Sequence, residues 1–197
     1  MRFRIFGTEI YVSFLFFAVI TVMLATDRTG YALPTLCAAA FHETGHLFAM
    51  WIFECQPRSI RLVPASVSIT GPFPRKKNGE VIIALSGPVF NMVIACSLII
   101  NYKLASSNIS LQYGLINLMI GIFNLLPVKG FDGGTVVTAI IEKATGNRMK
   151  AESAIKIITA VFGFLILFIG AFLILNGSIN LSIIIMGLYI LICAFLR

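Results

Sequence analysis

Six apolar runs, each long enough or nearly long enough to cross a bilayer, leave this chain few folds to choose from. They lie near Ile10–Thr26, Tyr31–Phe53, Val81–Ile100, Leu111–Leu126, Ile155–Leu175 and Leu181–Leu196. A segment in hydrocarbon must satisfy its own backbone groups, so runs of this length read as helices. Only 12% of the residues are charged, about half the share of a soluble domain. The expected fold is therefore an all-α membrane protein of six transmembrane helices. It forms a single domain over residues 1–197, with no appended regulatory domain. Pro127 ends the fourth run, and the glycines beyond it permit unusual backbone angles, so a broken fourth helix is expected.

Two shorter elements accompany the spans. Ser59–Leu62 and Val67–Thr70 are strand-like runs flanking Pro64, which predicts a short interfacial β-hairpin. Arg4–Val12 is rich in β-formers and reads as a strand leading into the first helix. Thr135–Thr145 fits a surface helix before the fifth span, and Asn176–Asn180 a tight turn between the last two. Cys37, Cys55, Cys96 and Cys193 show no paired metal spacing, and small apolar filler is the reading for them.

Six spans put both termini on one side. That side then holds thirteen of the fifteen Lys and Arg residues, leaving only Arg28 and Lys103 opposite. Such asymmetry places the termini in the cytoplasm of a multi-pass cell-membrane protein. It also accounts for the net charge of +7 through an anionic bilayer surface, without nucleic acid.

Both histidines of the chain fall in one string, His42-Glu43-Thr44-Gly45-His46, inside the second run. Each ionisable group there costs roughly 2.5–3.5 kcal/mol on insertion scales, so three within one turn call for a function. Positions i and i+4 share a helix face, which lets both imidazoles reach one metal ion. Glu43 follows the first of them and can act as general base toward a metal-activated water. Zinc needs a third protein ligand. Cysteine could supply one, but the two aspartates narrow the choice better. Asp27 falls in the outer loop, whereas Asp132 follows the broken fourth helix, at the inner ends of spans two and four.

These residues, with others in order along the chain, resemble the site-2 protease family of intramembrane zinc metalloproteases. His42–His46 matches its HExxH. Ala84-Leu85-Ser86-Gly87-Pro88-Val89-Phe90-Asn91 is similar to its alanine-leucine-glycine-proline-x-x-asparagine segment. Asn124-Leu125-Leu126-Pro127 and Phe131-Asp132-Gly133-Gly134 match its asparagine-proline and aspartate-glycine elements. The chain looks most like the stage IV sporulation protein FB-like branch.

The resemblance implies one catalytic Zn2+ held by His42, His46 and Asp132, with Glu43 as the base. Asn124 then stands either as a group that steers the substrate or stabilises the oxyanion, or as an interhelical hydrogen bond. For Asn91, helix packing or support of the site stands against a direct substrate role. The expected function is hydrolysis of peptide bonds in single-span membrane proteins, within or near their spans and toward the cytoplasmic leaflet. A regulatory membrane protein is the expected partner. The rival readings are a catalytically silent relative that holds membrane partners and a zinc transporter. Transport would spread ligands along a path and has no need of Glu43.

Overall fold

The computed structural model describes residues 1–5, 7–63, 66–71, 78–176 and 181–195. The turn at Pro64-Ala65, most of the Asn176–Asn180 turn, and the cations Arg75, Lys76, Lys77 and Arg197 lie outside the described residues. The chain forms two compact units, Met1–Phe123 and Asn124–Arg197.

The first unit begins with four strands: β1 (Arg2–Ile5), β2 (Thr8–Val12), β3 (Ser59–Val63) and β4 (Ser66–Thr70). They form one sheet in the order β1-β2-β3-β4. The hairpin expected at residues 59–70 is therefore only half of the β structure. Its other half arises because Gly7, at a φ of 86°, turns the N-terminal segment back on itself. Arg2 then opposes Tyr11, and β2 pairs in parallel with β3 from Glu9–Ser59 to Val12–Leu62. This pairing consumes Ile10-Tyr11-Val12, so the first helix starts at Phe14 and not at Ile10.

Helices α1 (Phe14–Thr26), α2 (Ala32–Ile52), α3 (Gly79–Ala105) and α4 (Asn108–Asn124) follow, the last residue of α4 falling in the second unit. Asp27 organises the link from α1 to α2. Its carboxylate accepts from the Thr29 hydroxyl and amide, the Gly30 amide and the Ala32 amide at 2.7–3.0 Å. Helix α2 leans on α3 where Gly45 meets Gly87: a Cβ on Gly45 would lie 2.7 Å from the Ser86 carbonyl oxygen. Small residues permit this close approach.

In the second unit an irregular turn after Asn124 leads to α5 (Asp132–Thr145), α6 (Arg148–Leu175) and α7 (Leu181–Phe195). The fourth helix does stop ahead of Pro127, as its sequence predicts. Gly146, in the left-handed region, closes α5, and the Asn147 side chain caps α6 by accepting from the Lys150 amide. Helices α6 and α7 mesh through glycines. A Cβ on Gly163 would overlap Leu191, and one on Gly187 would overlap Leu167.

The protein is mostly helical with this one small sheet among the described residues. Within them, α3 and α6 are long and apolar enough to cross a membrane, whereas α1 and α7 are apolar but shorter. At 13 residues α1 rises only about 20 Å. Helix α2 has sufficient length, but His42, Glu43 and His46 dilute its apolar character.

Candidate metal centre

Helix α2 places His42 and His46 one turn apart, with the ring of His42 buried and that of His46 half-buried. Hydrogen bonds from neighbouring helices determine which ring nitrogen each leaves available. The Tyr113 carbonyl can only accept, so the Asn117 side chain turns its NH2 toward it at 2.9 Å. Asn117 Oδ1 consequently faces Asn91 and accepts from Asn91 Nδ2 at 3.1 Å. The same Nδ2 donates to the Ala38 carbonyl at 3.0 Å, which commits both its protons. Asn91 Oδ1 therefore faces His42 Nδ1 at 2.9 Å and accepts its proton. His46 reaches the same state more simply, its Nδ1 donating to the Ile83 carbonyl at 2.8 Å.

As neutral rings with Nδ1 donating, both histidines present the Nε2 lone pair, and these two atoms stand 3.1 Å apart. Two facing lone pairs at that distance repel unless a cation lies between them. Two nitrogens on a tetrahedral zinc, each at about 2.0–2.1 Å, would be separated by about 3.3 Å. The histidine pair fits a metal ion on both counts. The backbone of α3 presses close behind it, since a Cβ at Gly87 would overlap His46 Nε2 and crowd His42 Cε1. Pro88 follows, and its missing amide hydrogen removes the helical bond that the Ala84 carbonyl would accept.

Glu43 lies next to His42 on α2 and is half-buried. Asn91 is completely buried, and its amide is fully engaged behind His42. It supports His42 and has no donor left for an oxyanion. Sequence reasoning missed Asn117, the Ile83 carbonyl and the need for glycine at position 87. An asparagine amid the apolar residues of α4 was the available signal for the first.

The second unit holds Asp132 and Asn124. Asp132 is the first residue of α5, half-buried at the helix end that favours negative charge. Backbone contacts fix its approach. The Val128 amide donates to the Leu126 carbonyl at 2.7 Å, and the Phe131 amide to the Val128 carbonyl at 3.0 Å. Gly130, at a φ of 95°, takes the chain through a bend closed to most side chains. The loop carbonyls then sit directly on the first turn of α5. A Cβ at Gly133 would overlap the Leu125 carbonyl, and one at Gly134 the Val128 carbonyl. Buried Thr159 of α6 secures the loop by accepting from the Lys129 amide at 2.8 Å. Asn124 is half-buried and closes α4. Asp27, the other aspartate, is engaged at the head of α2, as described above.

Residues 101–169 match the family model of Peptidase family M50. The zinc metalloprotease MJ0392 of Methanocaldococcus jannaschii is 28% identical over 95% of this chain. The likeness to Peptidase family M50 covers about a third of the chain. Another similar protein, the probable membrane metalloprotease ARASP2 of Arabidopsis thaliana, is 33% identical over 51% of this chain. The chain spans 57% of the first relative's length and 22% of the second's. Its fold is that of the site-2 protease from Methanocaldococcus jannaschii, with a TM-score of 0.73 over 98% of this chain and 93% of that one, at 24% identity.

Proposed function

We propose that this chain is an intramembrane zinc endopeptidase of family M50, with His42, His46 and Asp132 as its zinc ligands and Glu43 as its general base. The observation that carries the reading is the pair of Nε2 lone pairs held 3.1 Å apart by a hydrogen-bond relay behind the rings. Zinc, when bound, would supply Lewis-acid polarisation of a water and of a peptide carbonyl. Asn91 and the Ile83 carbonyl keep the imidazoles in the ligating tautomer, the usual task of groups behind a metal-bound histidine. Glu43 takes the proton from the attacking water and returns it to the leaving nitrogen. Asn124 is assigned to the substrate backbone or oxyanion; Asn91 is not.

Further parts of the reading rest on sequence. Thirteen of fifteen basic residues on one side of a six-span arrangement support cytoplasmic termini and a site toward that leaflet. The substrates are single-span membrane proteins, a second membrane protein regulates cleavage, and the chain groups with the stage IV sporulation protein FB-like branch. A helical substrate must unwind to expose its peptide bonds. Strand β4 is at a sheet edge and offers it backbone partners by strand addition.

The test uses purified protein and its Glu43→Gln variant, with zinc content measured and a panel of single-span proteins as substrates. Equal zinc in both, with cleavage lost only in the variant, is the expected result. Zinc without cleavage of any substrate would favour a silent partner-binding relative. Zinc flux into liposomes that survives Glu43→Gln would favour a transporter.

A further inference from the structure

One face of the sheet carries basic side chains that the proposed hydrolysis does not employ. Side chains alternate along a strand, so Arg2, Arg4, Glu9, Tyr11, Ser59 and Arg61 fall on the same side. They line an open cavity of about 690 Å3. Register divides them into two rows. Arg2, Tyr11, Arg61 and Ser68 oppose one another across all four strands, and Arg4, Glu9, Ser59 and Thr70 form the next row. The second row sets Arg4 against the Glu9 carboxylate. The first has two guanidinium groups, a phenol and a hydroxyl, with no carboxylate.

That first row is built to donate. The Arg2 guanidinium lies over the Tyr11 ring, 5.6 Å from its centre, which holds it within the row. Adjacent strands lie about 4.8 Å apart, so Arg2 and Arg61 flank Tyr11 with about 10 Å between their backbones. Their long side chains can close on one anion from both sides. Planar guanidinium groups match phosphate oxygens two at a time.

We propose that the Arg2–Tyr11–Arg61 row binds a phosphate group, and that the headgroup of an anionic lipid supplies it. The position of the sheet selects the lipid. Strand β2 ends at Val12 and α1 begins at Phe14, which is 84% exposed, with Leu15, Phe17 and Val22 also exposed along the helix. The basic row thus stands where a large apolar surface starts, the depth at which phosphates occur in a bilayer. An acidic soluble peptide would meet the same charges but has no use for that adjoining surface. The proposal requires α1 to lie in lipid and is independent of proteolysis.

Native mass spectrometry of the full chain in detergent, with phosphatidylglycerol or phosphatidylcholine added, tests it. The expected result is preferential retention of phosphatidylglycerol, weakened about thirtyfold by Arg2→Gln with Arg61→Gln, at roughly fivefold per surface cation. Lys143→Gln with Lys150→Gln removes the same charge elsewhere and should leave retention unchanged. Arg4→Gln with Glu9→Gln, in the neighbouring row, should do the same. Saturable binding of inorganic phosphate through Arg2 and Arg61, with no lipid preference, would support the phosphate site but overturn its lipid source. Equal losses in the two charge-matched variants would overturn the site, as would displacement of phosphatidylglycerol by an acidic peptide at matched charge.

Discussion

The histidine region and the aspartate region of this chain hold their side chains by different means. In the first unit, His42 and His46 are oriented from behind by side chains and a carbonyl on α3 and α4: Asn91, Asn117 and Ile83. In the second, Asp132 is delivered by backbone, a tight loop resting on Gly133 and Gly134. A side-chain relay can lose a member and relax in steps. A backbone contact admits no extra atom at all. The loop that delivers Asp132 should therefore be more brittle than the relay behind the histidines, whose backbone contact at Gly45 and Gly87 is a separate constraint.

The largest expected effect follows from that contrast. Gly134→Ala drives a methyl group into the Val128 carbonyl, which no rotamer change can relieve. Zinc content measured by atomic emission should collapse, with the loss of helical signal confined to α5. Near-normal zinc binding in this variant would break the comparison. Asn91→Ala should be graded by contrast, weakening zinc about 10–100-fold in competition with a chelator, while the fold survives. Asn117→Ala acts one step further back and should cost less. An Asn117 effect as large as that of Asn91 would mean that the relay behaves as one unit.

A smaller effect is expected from Thr159→Val, which takes the acceptor from the Lys129 amide and should cost about 1 kcal/mol in detergent unfolding. The smallest belongs to Asp27. Its hydrogen bonds with Thr29, first the hydroxyl, and then those from backbone amides lower its pKa from 3.8 to about 2. A folded-state pKa below the unfolded one stabilises above pH 3.8, and the contribution is lost as pH falls through about 2. Asp27→Asn should speed hydrogen exchange of the Ala32 amide at neutral pH, and that difference from the native chain should vanish at the acid end. A difference that persists there would assign the effect to shape and not to charge.

The same contrast governs what could be read in the sequence. The placing of His42 and His46 on one helix face was legible because that spacing is local, and the irregular turn ahead of Asp132 because Pro127 and the glycines announce it. Asn117 was not, since nothing local says that an asparagine on α4 completes a chain ending at His42, 75 positions earlier in sequence. The sheet was half legible. A hairpin over residues 59–70 follows from alternation and Pro64, but the parallel pairing of Glu9 with Ser59 joins segments fifty residues apart. Helix ends moved for physical reasons too. Helix α6 starts at Arg148, ahead of the apolar run at Ile155, because Gly146 and Asn147 set its boundary while Lys150 and Glu152 face outward.

Zinc-edge X-ray absorption on the Glu43→Gln chain tests the central claim most directly. The predicted spectrum has a shell of nitrogen and oxygen only, at about 2.0–2.1 Å, with two imidazole signatures that are lost together with the metal in His42→Ala. A sulfur shell near 2.3 Å, or bound zinc that is indifferent to His42→Ala and Asp132→Asn, would contradict it.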